Sequence, residues 1–68
     1  MKENNNIPLS EQYTLTIKQA SQYFNIGEKK IYKLIRDNPT ADYVLMNGSK
    51  TLIKRKRFEQ YIEDTSSI

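Results

Sequence analysis

The sequence contains no cysteine and no histidine. Disulfide bonds are therefore excluded, as are zinc sites built from thiolate and imidazole and nucleophilic catalysis of the Ser-His or Cys-His kind. A chain of 68 residues forms one small domain with little interior, and a substrate pocket is hard to build from it. We therefore expect no metal, no cofactor and no enzymatic activity.

Long apolar runs are also lacking. No stretch approaches the roughly 18 apolar residues that span a bilayer, and residues 1–12 hold no apolar segment typical of a secretory signal. The absence of cysteine fits a reducing compartment. These features predict a soluble intracellular protein that has no membrane partner and no small-molecule ligand.

Positive charge is concentrated in two blocks. The chain carries 11 Lys and Arg against 8 Asp and Glu, a net charge of +3. Residues 28–37 hold four cations and two acids, residues 50–57 hold five cations and no acid, and the last eleven residues hold three acids and no cation. This distribution indicates a basic face directed at a polyanion such as nucleic acid.

The first half of the chain predicts two short helices behind a flexible arm. Residues 1–12 are polar and Asn-rich and predict a mostly disordered N-terminal arm, anchored by Ile7 and Leu9. Alternation over 13–16 indicates a short strand. Thr16 and Gln19 then fit a capping box that opens a helix over 17–24. The turn at 25–27 separates it from a second helix that starts at Glu28 and ends near 37–38, a helix-turn-helix arrangement.

The second half predicts a hairpin and a third helix. Asn47-Gly48 between apolar segments indicates a type I′ turn, with strands near 43–46 and 51–53. Phe58, Tyr61 and Ile62 recur at helical spacing and predict a helix over about 55–64. The fold class is therefore small α+β, a winged helix-turn-helix domain over 13–64 in which the hairpin is the wing, followed by a tail over 65–68.

The second helix has one basic side. Ile31, Leu34 and Ile35 share its apolar side, whereas the other side presents three cations within an arc of about 60°: Lys29, Lys33 and Arg36. This basic stripe is either a solvated helix face or a surface for the DNA major groove, which admits one helix. In the second case Arg36 would pair with guanine, and Lys29 and Lys33 would reach guanine or phosphate.

The residues around the stripe have alternative roles. Tyr32 is either a half-buried packing residue or a contact to a thymine methyl group and a phosphate. Glu28 is either a favourable charge at the helix start or an acceptor for cytosine. Lys30 is a less certain phosphate contact on the same helix. At the hairpin tip, Ser49 and Lys50 are candidates for contact with an adjacent minor groove or backbone.

The run KRKR at 54–57 admits three interpretations: a phosphate clamp, the solvated start of the third helix, or a localisation-type patch. Four consecutive residues on a helix cannot all point one way, so only some reach one DNA backbone. Lys54 and Arg55 are the candidate phosphate contacts. Two basic blocks beside a basic hairpin tip together favour nucleic acid over a merely solvated face.

The run YTLTIKQASQYFNIGEKKIYKLI resembles excisionase-type DNA-binding proteins, small relatives of the MerR-type winged-helix domain. VLMNGSKTLIKRKRFEQYI is similar to that family's wing and closing helix, so the resemblance covers about 13–62. It is strongest to excisionases of conjugative transposons that use a tyrosine-recombinase integrase. The sequence departs from the common pattern at Gly27, where Ser is usual as helix N-cap, and at Lys30, where Thr is frequent.

The resemblance implies a recombination directionality factor. Such a protein binds double-stranded DNA near the ends of a mobile element, bends it or helps to assemble a nucleoprotein complex, and biases a tyrosine-family integrase towards excision. In that family the outward residues of the second helix read the major groove, and the resemblance assigns this role to Lys29, Lys33 and Arg36. The wing tip approaches the neighbouring minor groove, and the matching residues are Ser49 and Lys50. We expect a bacterial, cytoplasmic, DNA-associated protein that is monomeric in solution and occupies DNA in several copies.

Two other functions fit the same residues. A small transcriptional regulator, for example a repressor, would use the same DNA-binding face, although without a sensor domain we expect no response to a ligand. A protein-interaction module or antitoxin-like adaptor would instead direct the basic face at an acidic protein. It would then bind DNA no better than any other polycation.

Overall fold

A computed structural model describes residues 7–67. Three helices pack against one antiparallel sheet of three strands, the small α+β architecture expected of a winged helix-like fold. A short 3-10 helix, Leu9–Glu11, comes first. The remaining elements are β1 (Thr14–Thr16), α1 (Ile17–Phe24), α2 (Glu28–Asp37), β2 (Val44–Asn47), β3 (Lys50–Lys54) and α3 (Arg55–Glu63).

Both helices of the helix-turn-helix begin where the sequence predicts. The Thr16 hydroxyl accepts from the Gln19 N–H at 3.1 Å, and the Gln19 side chain accepts from the Thr16 N–H at 3.0 Å, so the capping box is complete. Asn25 ends α1 in the left-handed conformation, with φ of 59°. Gly27 is the N-cap of α2.

The sheet places β3 in the middle. β1 pairs with β3 through Leu15 opposite Ile53, and β2 pairs with β3 from Val44 opposite Ile53 to Asn47 opposite Lys50. β3 runs into α3 without a loop, because Lys54 is both the last strand residue and the helix N-cap. The hairpin tip is thus tied through one continuous segment to the C-terminal helix.

The hairpin turn differs from the predicted one. Asn47 belongs to β2 and pairs with Lys50, so the two central turn residues are Gly48 and Ser49. Gly48 has φ of 64°, and no positive φ occurs at Asn47 or Ser49. Positive φ at the first central position alone is the pattern of a type II′ turn, which favours Gly there. The predicted type I′ turn at Asn47-Gly48 was therefore wrong in its position, by one residue, and in its type.

One apolar core lies between the sheet and the helices. Among residues 7–67, seven hydrophobic residues are buried: Leu15, Ile17, Ala20, Ile31, Tyr43, Ile53 and Phe58. Edge-to-face contacts join Phe24, Phe58 and Tyr43, with ring centroids 4.9 and 4.8 Å apart. All three helices and strands β1 and β3 contribute buried residues, so the core anchors α2 through its apolar side.

The N-terminal segment is partly packed. Of the arm predicted over 1–12, residues 1–6 lie outside the described residues, and Leu9 packs against the core. The Gln12 side chain donates to the Ile7 carbonyl at 3.0 Å. Ile68 of the predicted tail also lies outside the described residues.

Candidate nucleic-acid interface

The α2 helix presents the basic stripe to solvent. Ile31 is fully buried, and Leu34 and Ile35 pack against the core, so the opposite side of the helix faces outwards. Lys29, Lys33 and Arg36 are all exposed. Tyr32 is 56% exposed, so it is an exposed neighbour of the stripe and not the half-buried packing residue that the sequence allowed.

The hairpin tip joins α2 in one continuous surface. Ser49 and Lys50 are exposed, and both line an open depression of about 450 Å³ that Glu28 and Tyr32 of α2 also line. The depression lies between the start of α2 and the wing. Two predicted site segments, separated by more than ten residues in sequence, therefore lie side by side.

Lys18 also lines this depression and was not predicted as a site residue. It is the second residue of α1 and is exposed, off the buried side formed by Ile17 and Ala20. In the sequence it is a single lysine in a neutral segment. Only the packing of α1 beside α2 and the hairpin shows that it adds a cation at the depression.

An acid lies at the C-terminal end of the stripe. Asp37 Oδ2 is 3.2 Å from Lys33 Nζ, and Asp37 Oδ1 is 3.7 Å from Arg36 Nε. Lys29 forms no ion pair within residues 7–67. The stripe is thus unequal along its length, with a free cation at its start and two ion-paired cations at its end.

The fold does not bring all the predicted residues to this surface. Lys30 is exposed on α2, about 100° around the helix from Lys29, and does not line the depression. Lys54 is half-buried at the N-cap of α3. Lys56 and Arg57 are exposed, and Arg57 Nη1 lies 3.7 Å from Asp42 Oδ2.

Comparison with known proteins decides the family. A family model described as the excisionase from transposon Tn916 matches residues 1–68. The chain belongs to the Tn916 excisionase family. A curated relative, the excisionase from transposon Tn916 of Streptococcus agalactiae serotype V (strain ATCC BAA-611 / 2603 V/R), is 48% identical over 62 residues, which cover 91% of this chain and 92% of the relative.

Family membership confirms the excisionase role expected from the sequence. Excisionases are DNA-binding recombination directionality factors and not catalytic enzymes, which agrees with the exclusion of enzymatic chemistry. Within residues 7–67 of this excisionase, no three His, Cys, Asp or Glu side chains cluster as metal ligands. In the same range, no helix is long and apolar enough to cross a membrane.

Arg55 of the excisionase is engaged inside the fold. Its side chain is only 11% exposed; Nε donates to the Gln12 carbonyl and Nη1 to Glu59 Oε2, each at 2.8 Å. The Tyr23 hydroxyl donates to the same Glu59 oxygen at 2.9 Å. These bonds join α1, α3 and the N-terminal segment, so the guanidinium is committed to partners within the protein.

The same bonds affect the ionisation of Glu59. Partial burial raises the pKa of this carboxyl, but the hydrogen bonds from Tyr23 and Arg55 and the charges of Arg55 and Lys56 lower it more. The net result is a pKa below the ordinary value of 4.5. Glu59 is therefore held as a carboxylate, consistent with a structural role on α3.

Proposed function

We propose that this excisionase inserts α2 into the major groove near the ends of its mobile element and lays the hairpin tip on the adjacent minor groove or backbone. The bound protein biases a tyrosine-family integrase towards excision. The observation that carries the proposal is one depression lined both by Tyr32, which lies beside the exposed basic stripe of α2, and by Ser49 and Lys50 of the hairpin tip. If the stripe were only a solvated helix face, nothing would require a basic hairpin tip beside it.

The α2 side chains have distinct roles in this arrangement. Arg36 pairs with guanine O6 and N7, while Lys29 and Lys33 reach guanine or phosphate. Tyr32, exposed between the stripe and the depression, contacts a thymine methyl group and a phosphate. Glu28 accepts from cytosine or neutralises the helix start.

The surrounding basic and hydroxyl side chains position the protein on the DNA backbone. Ser49 and Lys50 of the hairpin and Lys18 of α1 contact phosphates on either side of the depression. Lys30 and Lys54 are candidates for further phosphate contacts, since Lys30 is exposed and Lys54 is half-exposed. For Arg55 we propose support of the fold in place of the phosphate contact expected from the sequence, since Gln12 and Glu59 occupy its guanidinium.

The proposal also covers how many copies of the protein act together on DNA, and how the wing is arranged. We propose a MerR-like arrangement of the wing and a protein that is monomeric in solution, acts in the bacterial cytoplasm and occupies neighbouring sites in several copies. Bending of the duplex would allow both α2 and the hairpin to stay in contact with it, at a cost of a few kcal/mol. Binding of neighbouring copies would raise the affinity of a small domain.

Titration of labelled duplexes tests the interface. Wild-type protein is compared with Arg36→Ala on DNA from the element's ends and on scrambled DNA of equal composition, at two salt concentrations. The variant should lose about 1–3 kcal/mol on the element DNA and much less on scrambled DNA. Arg57→Ala removes the same charge outside the stripe and should leave the ratio of the two affinities unchanged. Equal losses for Arg36→Ala on both duplexes would contradict base reading by α2.

An integrase-dependent excision assay tests the biological role. Arg36→Ala should reduce the frequency of excision in proportion to its loss of binding at the element's ends. A promoter reporter placed beside the same DNA measures the alternative role as a transcriptional regulator. Loss of promoter silencing with unchanged excision would make regulation, and not recombination, the function of this surface.

A further inference from the structure

Asp37 is the only acid of α2 besides Glu28, and it lies where an acid is least favourable. As the last helical residue it faces the negative end of the helix macrodipole. Helix capping does not explain it, because Asn38 closes the helix by donating from its own N–H and from its side-chain amide to the Leu34 carbonyl. The carboxylate therefore needs another explanation.

The ion pairs of Asp37 with the stripe stabilise α2 too little to explain why an acid lies at this position. The Lys33–Asp37 pair has the cation on the N-terminal side, which is the weaker orientation for an i, i+4 pair. The exposed fractions of the Lys33, Arg36 and Asp37 side chains are 62%, 73% and 51%, so water screens both pairs. The distinctive feature of Asp37 is its position: one carboxylate oxygen lies near Lys33 and the other near Arg36, two cations of the DNA-binding stripe.

We propose that Asp37 sets the DNA selectivity of the stripe. Its charge competes with backbone phosphates for Lys33 and Arg36, so contacts that every DNA sequence offers are weakened. Base reading is spared, because the partner atom on Arg36 is Nε. Both terminal nitrogens of the guanidinium stay available for the O6 and N7 atoms of guanine. This inference rests on the proposed placement of α2 in the major groove.

Asp37 also restricts the orientation of Arg36, which favours base reading by this arginine. An exposed arginine loses side-chain freedom when it forms a bidentate pair. A carboxylate on the adjacent residue, 3.7 Å from Nε, restricts the guanidinium before DNA arrives. Asp37 is thus a positioning residue for Arg36 as well as a repulsive element against phosphate, and specificity gains from both.

The test compares Asp37→Asn with Asp42→Asn. Asp42 also forms a 3.7 Å ion pair, with Arg57, and its side chain is 69% exposed, so the control removes one equivalent charge away from α2. Fluorescence anisotropy measures binding of each variant to the element duplex and to the scrambled duplex over a range of salt. Thermal unfolding of both variants verifies that they fold as the wild type does.

Asp37→Asn should bind scrambled DNA about three to five times more tightly than wild type, with a salt slope steeper by roughly one released counterion. Its affinity for the element duplex should rise less, so the ratio of affinities falls. Asp42→Asn should change binding to both duplexes by the same factor. If Asp37→Asn matches Asp42→Asn, or fails to tighten binding to scrambled DNA, the selectivity role of Asp37 is wrong.

Lys29→Ala separates this failure from failure of the proposed interface. Lys29 belongs to the stripe but has no ion pair with Asp37 within residues 7–67. If Lys29→Ala weakens DNA binding while Asp37→Asn behaves like the control, α2 meets DNA and only the role of Asp37 is overturned. If Lys29→Ala leaves binding to both duplexes unchanged, α2 does not face DNA, and both proposals fail together.

Discussion

Arg55 donates from Nη1 to Oε2 of Glu59 at 2.8 Å, across one turn of α3. The same guanidinium reaches the Gln12 carbonyl, 43 residues away in sequence. A basic residue within the KRKR run therefore holds the N-terminal segment against the C-terminal helix. Its neighbour Lys54 has no such partner among residues 7–67, so the two cations have different expected effects when removed.

Arg55→Ala should destabilise the protein by about 1–3 kcal/mol, because charge-assisted hydrogen bonds in a partly buried site are lost. Lys54→Ala should leave stability nearly unchanged and instead weaken binding to all DNA, with a salt slope lower by roughly 1. Urea unfolding and salt-dependent anisotropy measure the two effects. An Arg55→Ala protein of normal stability that shows the reduced salt slope would make Arg55 a phosphate contact after all.

Acid should remove the stabilisation that Glu59 provides. The pKa of Glu59 is lowered in the folded protein, so its contribution is complete above the unfolded value of 4.5 and is lost as the pH falls through the lower folded value. Wild type should exceed Glu59→Gln in unfolding free energy at pH 7, and the difference should shrink below pH 4.5.

Glu63→Gln is the control for this experiment, because Glu63 is exposed on the same helix. It should alter the unfolding free energy little at either pH. A difference between wild type and Glu59→Gln that is constant across the acid range would show that the charge of Glu59 is not what stabilises the fold.

The Tyr43 hydroxyl is buried without a hydrogen-bond partner in the described part of the chain, although its ring packs against Phe58. An unsatisfied buried hydroxyl costs about 1–3 kcal/mol. Tyr43→Phe keeps the ring and should therefore raise the unfolding free energy by about 1 kcal/mol. Chemical denaturation measures the gain, and a clear loss of stability would show that the hydroxyl has a partner.

Alkaline pH gives a second measure of the same site. Burial, with smaller effects from Tyr61 and Asp42, raises the pKa of Tyr43 above 10.0. The wild type should therefore lose stability as the pH rises above 10.0, relative to Tyr43→Phe. Tyr61→Phe, which alters a half-buried ring of the same cluster, is the matched control and should not abolish this loss.

The two glycines should respond to substitution in opposite directions. Neither Gly27 nor Gly48 has an atom within 4 Å of an added Cβ, so backbone conformation decides the outcome. Gly48→Ala should destabilise the hairpin by about 1 kcal/mol, since φ of 64° disfavours a side chain. Gly27→Ser should stabilise α2 by a few tenths of a kcal/mol, because its φ of −58° suits an N-cap hydroxyl. Thermal melts of both variants test this, and a loss for Gly27→Ser would mean that the cap hydroxyl does not form.

The sequence predicted the helices because their boundaries depend on nearby residues. The Thr16 and Gln19 capping box and the Gly27-Glu28 start lie beside the elements that they define, and both helices have the predicted bounds. The hairpin register was harder, since Asn47-Gly48 and Gly48-Ser49 both suit tight turns. Strand pairing chose between them, and it places Asn47 opposite Lys50.

Features that depend on distant contacts could not be predicted. The 3-10 helix at Leu9–Glu11 packs on the core and is followed by Gln12, which Arg55 holds from the far end of the chain. The acid four residues on, Glu59, distinguishes Arg55 from its three basic neighbours, but nothing local shows its second bond, to Gln12. Lys18 likewise needs the hairpin beside it to become part of the interface. The Lys33–Asp37 spacing was visible in the sequence, but its meaning depended on the second oxygen of Asp37 lying near Arg36.

The continuous path from β3 into α3 has a mechanical consequence. The hairpin turn at the start of β3 is part of the proposed DNA surface. At its end, β3 continues directly into α3, and no loop residue lies between the strand and the helix to act as a hinge. β3 is also hydrogen-bonded on both sides, to β1 and β2. We therefore expect the wing tip and α3 to keep a fixed separation. If DNA binds at the hairpin tip and a second protein binds on α3, the distance between the DNA and that protein would be set by the length of β3.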